Sequence, residues 1–72
     1  MTTFVDRLKS IRSSSKHTQK QVAEAIDTSE QNYQRYERGS QQPTLPVIVA
    51  LADFYDVSLD YLVGRSDDPQ RR

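Results

Sequence analysis

The sequence predicts an all-α fold, a compact domain of five short helices. Apolar residues recur at helical spacing in successive stretches, and no stretch alternates between apolar and polar residues for long enough to form a strand. Threonines and serines, which favour helix N-caps, precede these stretches. The chain has 72 residues and no cysteine, so it can form one small domain that no disulfide stabilises.

The first two helices are predicted over residues 3–14 and 18–26. Three serines, residues 13–15, end the first helix because serine side chains compete for backbone hydrogen bonds. Thr18 and Gln21 have the spacing of a capping box, which starts the second helix. The apolar stripes of the two helices consist of Phe4, Val5, Leu8, Ile11, Val22, Ala23 and Ile26.

The third helix is predicted over residues 29–38, after a short turn at 27–29. All three turn residues favour turns and caps over helix interiors, and the last of them, a serine, is a good N-cap. Gly39 follows the helix and suits a left-handed cap. Tyr33 and Tyr36, three residues apart, are predicted to face the core, which leaves an amide-rich polar side.

The fourth and fifth helices begin at predicted caps, Thr44 and Ser58. Pro46 lies in the first turn of the fourth helix, where its missing N–H does no harm. The fifth helix is short and ends at Val63–Gly64. The predicted inner face of the fourth helix consists of Leu45, Ile48, Val49, Leu51, Ala52 and Tyr55.

The predicted domain covers residues 1–66. Residues 67–72 have no apolar anchor and are predicted to form a disordered tail. No apolar run approaches the roughly 18 residues that a membrane-spanning helix needs, and the N-terminus lacks the apolar core of a signal peptide. We therefore expect a soluble cytoplasmic protein that does not bind membranes.

The formal net charge is zero, but the charges are unevenly distributed. Residues 1–40 carry seven Lys or Arg against five Asp or Glu, whereas residues 41–72 carry three against five. The weak basic excess lies in the half that contains the second and third helices. Non-specific attraction to nucleic acid is therefore expected to be modest.

The stretch from Thr18 to Gly39 resembles the helix-turn-helix of the Cro/CI-type (XRE) family, the lambda-repressor-like DNA-binding domain. Gln19 corresponds to the opening glutamine of the motif, Ala23 to the small residue where its helices touch, and Tyr36–Gly39 to the YERG ending. With SLDYLVG at 58–64, the resemblance covers residues 4–64, with the helix-turn-helix at 19–38. Two residues depart from the family pattern. Family members usually have Gly in the turn where this chain has Asp27, and an aliphatic residue in the core where this chain has Tyr33.

The resemblance implies a sequence-specific transcriptional regulator of double-stranded DNA, a repressor that binds a pseudo-palindromic operator as a homodimer. It implies bacterial or phage origin and location on the nucleoid when bound to DNA. It is also compatible with regulation by a protein partner. No cofactor or metal is required, because the sequence has one histidine, His17, and no cysteine. No nucleophile–base pair is evident, so the protein is not expected to be an enzyme.

The resemblance also indicates which residues contact DNA. Gln31 can pair with adenine, Arg35 with guanine and Glu30 with cytosine, whereas Gln19 lies where the family contacts phosphate. The expected DNA-binding residues are Gln19, Ser29, Glu30, Gln31, Asn32, Gln34, Arg35, Ser40 and Gln41. The alternative is a solvated helix face, with Gln19 as an ordinary helix-start residue.

Two further sets of residues are implied to have structural roles. Arg12 and Glu37 would form a partly buried ion pair, or alternatively be unrelated surface charges. Leu59, Tyr61 and Val63 would form a dimer contact, or alternatively pack in the core with one exposed edge.

A different function on the same fold is a protein–protein interaction module, antitoxin-like or adaptor, which the neutral net charge favours. A hydrolase or metalloprotein would need a cluster of titratable groups that the sequence does not contain. A salt-dependent mobility shift on duplex DNA would distinguish a regulator from an interaction module.

Overall fold

The computed structural model describes residues 3–71, and within them the chain forms five α-helices and no strand. The helices are α1 (Phe4–Ser15), α2 (Gln19–Ala25), α3 (Glu30–Arg38), α4 (Leu45–Tyr55) and α5 (Leu59–Leu62). The predicted all-α class is confirmed. Residues 1, 2 and 72, which belong to the predicted domain 1–66 and the predicted tail 67–72, lie outside the described residues.

Side-chain caps start four of these helices. The hydroxyls of Thr3, Thr18, Ser29 and Ser58 each accept a hydrogen bond from the backbone N–H three residues later. Thr18 and Gln21 form the predicted capping box in both directions, at 3.0 and 2.9 Å. Thr44 does occupy the N-cap of α4, but its hydroxyl makes no cap bond there, and the helix starts with Pro46 in its first turn.

The turns depend on residues in the left-handed backbone region. Gly39 ends α3 with φ of 78°, and a Cβ at this position would lie 3.3 Å from Val5 Cγ2. Asp27, which replaces the glycine usual in the family, adopts φ of 60° in the turn between α2 and α3. Aspartate tolerates this region better than most residues, so the predicted turn survives the substitution.

The core lies where the five elements of residues 3–71 meet. Its largest fully buried side chains are Tyr33, Leu8, Leu51, Leu62 and Val22. The predicted inner face of α4 is wrong at two positions, because Leu45 is 67% exposed and Val49 is 38% exposed. Val47, Ala50 and Phe54 pack against the core in addition to the predicted residues, since α4 presents a different stripe from the one its apolar spacing indicates.

The segment after α5 lies against the helices. The Ser58 N–H donates to the Pro69 carbonyl oxygen at 3.0 Å, and Arg71 pairs with Asp53 of α4 at 2.6 Å. At the other end of the segment, Asp67 pairs with Arg7 of α1 at 3.0 Å. Each of these anchors is polar, whereas the disorder predicted for 67–72 was based on the lack of an apolar anchor. The domain boundary at 66 and the disordered tail stay predictions.

None of the helices in residues 3–71 combines the length and the hydropathy that crossing a membrane requires.

Candidate nucleic-acid interface

The helix-turn-helix is formed by α2 and α3, joined by residues 26–29. Val22 and Ala23 of α2 are buried in the same core cluster as Tyr33 and Tyr36 of α3, and the rings of the two tyrosines meet edge to face with centroids 6.5 Å apart. This packing turns the polar side of α3 toward solvent. The N-terminal half of that side contains the base-contact residues expected from the sequence.

Three polar side chains on this side are unengaged. Glu30, Gln31 and Arg35 are exposed, and none of them forms a side-chain hydrogen bond with another described residue. They offer a carboxylate, an amide and a guanidinium within two turns of one helix. These are the groups that pair with cytosine, adenine and guanine edges in the major groove.

Asn32 is committed within the protein. Its Nδ2 donates to Thr28 Oγ1 at 2.8 Å and to the Tyr36 hydroxyl at 3.0 Å. Both amide protons are therefore used, and only the side-chain oxygen of Asn32 is left to meet a ligand. Thr28 was not singled out from the sequence; its spacing of four from Asn32 is the one signal that could have indicated the contact.

Arg12 and Glu37 meet between α1 and the last turn of α3. Arg12 Nε lies 2.5 Å from Glu37 Oε2, and Nη2 donates to Oε1 at 3.1 Å. Arg12 Nη1 also donates to the His17 carbonyl oxygen at 3.2 Å, which ties the α1–α2 connection to the same pair. The Glu37 side chain is 5% exposed, so the pair is largely shielded from water.

Competing effects set the pKa of the Glu37 carboxyl. Burial favours the neutral acid and raises the pKa, but the Arg12 guanidinium, the nearby Tyr33 hydroxyl and the Gln19 amide favour the carboxylate and outweigh burial. The net pKa lies below the ordinary value. The carboxylate is therefore ionised at neutral pH and acts only as a hydrogen-bond acceptor.

Tyr33 fits the space that the family usually gives to an aliphatic residue, but its hydroxyl does not find a well-placed partner. The side chain is 0% exposed, and neither its hydroxyl nor that of Tyr55 forms a hydrogen bond of good geometry in the described chain. The Tyr33 hydroxyl lies close to the Glu37 carboxylate and to the Tyr55 hydroxyl. Burial raises the pKa of both phenols, and the negative charge of Glu37 adds to the effect.

Gln19, the first residue of α2, links to α3 through its side chain. Its Nε2 donates to Glu37 Oε1 at 3.2 Å, and its Oε1 accepts from Gln34 Nε2 at 3.2 Å. Gln19 and Gln34 are both half-buried. The two glutamines therefore bond each other. The sequence predicted a phosphate contact for Gln19 and a DNA contact for Gln34, but not this bond between them.

The loop after α3 brings two more predicted residues near the interface. Ser40 is exposed, and its N–H and hydroxyl both donate to the Arg35 carbonyl oxygen, at 3.1 and 3.4 Å. Gln41 is also exposed and lines a shallow surface depression of about 240 Å³ with Thr3 and Pro43. Both residues border the C-terminal end of α3.

The expected dimer residues are not equally accessible. Leu59 is 42% exposed, whereas Tyr61 and Val63 are half-buried. The Arg7 guanidinium lies 4.0 Å above the Tyr61 ring and holds Asp67 at the same time. The contact with Tyr61 and the hydrogen bond to Asp67 raise the pKa of Arg7. No motif in the sequence indicated this contact between α1 and α5.

The His17 side chain lies against two aromatic residues of α4. It is half-buried, and its ring centroid lies 4.9 Å from that of Phe54 and 6.2 Å from that of Tyr55. Within residues 3–71, no group of three or more His, Cys, Asp or Glu side chains is arranged to hold a metal ion.

The fold and the unengaged face of α3 define a helix-turn-helix protein. A family model described as "Helix-turn-helix" matches residues 8–62, and the chain belongs to that family. This confirms the resemblance to the Cro/CI-type regulators. The lambda-repressor-like architecture is confirmed by the match to a solved structure described below.

The relatives of the chain include proteins named as transcriptional regulators. It is 42% identical over 66 residues to an uncharacterized HTH-type transcriptional regulator, YobD, of Bacillus subtilis, covering 92% of this chain and 59% of YobD. It is 38% identical over 60 residues to the cryptic phage CTXphi transcriptional repressor RstR of Vibrio cholerae, covering 83% of this chain and 54% of RstR. The chain therefore spans just over half the length of these relatives.

The fold is also that of a solved structure. A crystal structure of the P22 c2 repressor protein in complex with synthetic operator 9T superposes with a TM-score of 0.83. The match covers 92% of this chain and 100% of the solved chain, at 21% sequence identity. At that identity the likeness establishes the shared fold.

Proposed function

We propose that this chain is the DNA-binding part of a transcriptional repressor that recognises a specific double-stranded operator. The observation that carries the proposal is the group of three exposed, unengaged side chains on α3: Glu30, Gln31 and Arg35. A helix face that only contacts water does not require a carboxylate, an amide and a guanidinium to lie together. A helix that enters the major groove needs hydrogen-bonding side chains near its N-terminal half.

The relatives support the same function. RstR is described as a phage transcriptional repressor, and the P22 c2 protein is described in complex with a synthetic operator. On this proposal, Gln31 and Arg35 read base edges, and Glu30 accepts from a cytosine amino group. Ser29, Asn32 and Gln34 complete the face that meets DNA.

Phosphate contacts would set the register of this helix. Gln19, at the start of α2, would lie over one strand, and Ser40 and Gln41, after α3, over the other. The net charge of zero limits the electrostatic contribution, so affinity must come mainly from a well-fitted site. No enzymatic activity and no cofactor enter the proposal.

We propose further that the repressor binds as a homodimer. One recognition helix reads only a few base pairs, whereas two related by a two-fold axis occupy successive major grooves about 34 Å apart. Leu59, Tyr61 and Val63 are the proposed contact, and Leu59 is its most exposed member. On this proposal, a regulatory protein partner could act by altering how much of the operator is occupied. The protein would be located in the cytoplasm, bound to DNA.

Selection of bound duplexes from a random pool, followed by sequencing, tests the proposed function. We expect inverted half-sites with centres about 10 base pairs apart. For a dimer that neutralises about six phosphates, the logarithm of the binding constant should fall with the logarithm of salt concentration at a slope near −5. Recovery of no enriched sequence would instead favour the interaction module that the neutral charge also allows.

The dimer is tested on the selected operator. Wild type should bind the full site much more tightly than an isolated half-site, and Leu59→Asp should reduce that difference while leaving the helical circular dichroism unchanged. Val49→Asp is the matched control, because Val49 is a similarly exposed aliphatic residue on α4. An effect of Val49→Asp alone would move the interface to α4, and equal binding to half and full sites would rule out the dimer.

A further inference from the structure

A chain of polar side chains connects α1 with the solvent side of the recognition helix. Arg12 donates to Glu37, Gln19 Nε2 donates to Glu37 Oε1, and Gln34 Nε2 donates to Gln19 Oε1. The last two bonds are each 3.2 Å long. Gln19 thus bridges two residues of α3 that lie one helical turn apart.

Charge determines the orientation of both amides in this chain. The Glu37 carboxylate, paired with Arg12, can only accept hydrogen bonds, so Gln19 must turn its amide nitrogen toward it. That orientation leaves the Gln19 oxygen facing Gln34. Gln34 must then present its own amide nitrogen, because two carbonyl oxygens cannot bond each other.

Gln34 differs in this respect from Gln31, the same residue type on the same helix. Gln31 is exposed, and its side chain forms no hydrogen bond with another described residue. Gln34 is half-buried, and one of its amide protons is directed into the protein. A glutamine that reads adenine uses its nitrogen and its oxygen together, with freedom to turn toward the base edge. Gln31 has that freedom, whereas the bond to Gln19 restricts Gln34.

We propose that Gln34 is a positioning residue that fixes Gln19 and the start of α2 against the recognition helix, and that it does not read a base. The proposal rests on the proposed function and refines it, because it moves Gln34 from the base-reading set to the support of the phosphate contact. Phosphate contacts are independent of sequence. Loss of Gln34 should therefore weaken binding to all duplexes alike.

The Gln19–Gln34 bond can be tested without DNA, from the side-chain amide signals in a ¹H–¹⁵N NMR spectrum of the full chain. We expect Gln19→Ala to shift the Gln34 side-chain amide signal and to leave that of Gln31 in place. Gln31→Ala is the control and should leave the Gln34 signal unchanged. A Gln34 signal that does not respond to Gln19→Ala would overturn the proposal.

The positioning role is tested by affinity for the selected operator and for each of its single-base variants. Gln34→Ala should weaken binding to all of them by a common factor of about two- to tenfold, the value of one hydrogen bond. Gln34→Glu, which cannot donate to Gln19, should behave in the same way or worse. Gln31→Ala should instead lose affinity for the operator and lose little on variants changed at the base that Gln31 reads.

A double-variant cycle separates positioning from an independent contact. If Gln34 acts through Gln19, the loss from Gln19→Ala with Gln34→Ala should be smaller than the product of the two single losses. Independent losses, or a Gln34→Ala effect confined to one base position, would overturn the proposal. If wild type binds no duplex, the proposed function and the positioning role both fail, while the NMR result still reports whether the bond exists.

Discussion

Arg12 and Glu37 are 25 residues apart in the sequence and form a two-pronged ion pair between α1 and the last turn of α3. The Nε–Oε2 and Nη2–Oε1 distances are 2.5 and 3.1 Å, and the Glu37 side chain is 5% exposed. The pair also fixes the Gln19 side chain and the His17 carbonyl. One buried carboxylate therefore joins the three helices that present the proposed DNA-binding face.

The first prediction concerns the stability that this pair supplies. Glu37→Ala leaves the Arg12 guanidinium without its buried partner and should lower the free energy of unfolding by about 3–5 kcal/mol. Glu24→Ala, at an exposed position of α2, should change it by at most about 1 kcal/mol. Urea unfolding of both variants measures the difference. Equal midpoints would show that the pair contributes no more than a surface charge.

The second prediction concerns acid. Because the pKa of Glu37 is lower in the folded protein than its ordinary value of 4.5, acid protonates the unfolded chain first and favours unfolding. The stabilisation is complete above about pH 4.5 and is lost as the pH falls through the folded-state pKa. The free energy of unfolding should be measured from pH 6 downward in steps of about one pH unit. It should fall less steeply with decreasing pH for Glu37→Gln than for wild type. Glu24→Gln should follow wild type, and a Glu37→Gln curve parallel to wild type would contradict the lowered pKa.

The third prediction concerns the buried Tyr33 hydroxyl. Tyr33→Phe removes a polar group that makes no well-formed hydrogen bond, so the variant should be as stable as wild type or more stable by about 1 kcal/mol. Tyr36→Phe is the control, because the Tyr36 hydroxyl accepts a 3.0 Å bond from Asn32, and it should lose about 0.5–1.5 kcal/mol. Thermal and urea unfolding provide the comparison. A larger loss for Tyr33→Phe than for Tyr36→Phe would mean that the Tyr33 hydroxyl is well bonded in solution.

The fourth prediction concerns base recognition. Gln31→Ala and Arg35→Ala should each weaken operator binding by about 1–3 kcal/mol and relax the preference at one base position in each half-site. Lys20→Ala, which removes an exposed charge from α2, should instead weaken binding to all duplexes alike. Competition assays on single-base variants of the operator distinguish the two patterns. Equal losses on operator and random DNA would show that Gln31 and Arg35 do not read bases.

The fifth prediction concerns the segment after α5. The Ser58 amide, which donates to the Pro69 carbonyl, should exchange its proton slowly in the full chain and quickly in a chain truncated after Arg65. The anchoring ion pairs of Arg7 and Arg71 involve exposed carboxylates, so added salt should reduce the protection. Fast exchange in the full chain would support the disorder predicted for residues 67–72.

The sequence by itself determined the local structure of this protein. Caps, turn residues and apolar spacing are short-range features, so the capping box at Thr18 and the cap at Gly39 followed from a few adjacent residues. The YERG ending identified the family. Errors arose where one stripe had to be chosen on an apolar helix, as at Leu45 and Val49 of α4, because periodicity does not specify which neighbours cover which residue.

Only the tertiary structure decided which polar side chains are free and which are engaged. From the sequence, Gln31 and Gln34 are equivalent amides on one helix face; in the folded chain, Gln19 approaches one of them and not the other. The contact of Arg7 with Tyr61 and Asp67 likewise joins residues about 54 and 60 positions apart, which no local pattern encodes. Hydrogen bonds over such separations form only when whole helices pack in the right arrangement. That arrangement depends on many weak contacts spread over the chain, so no single sequence motif predicts it.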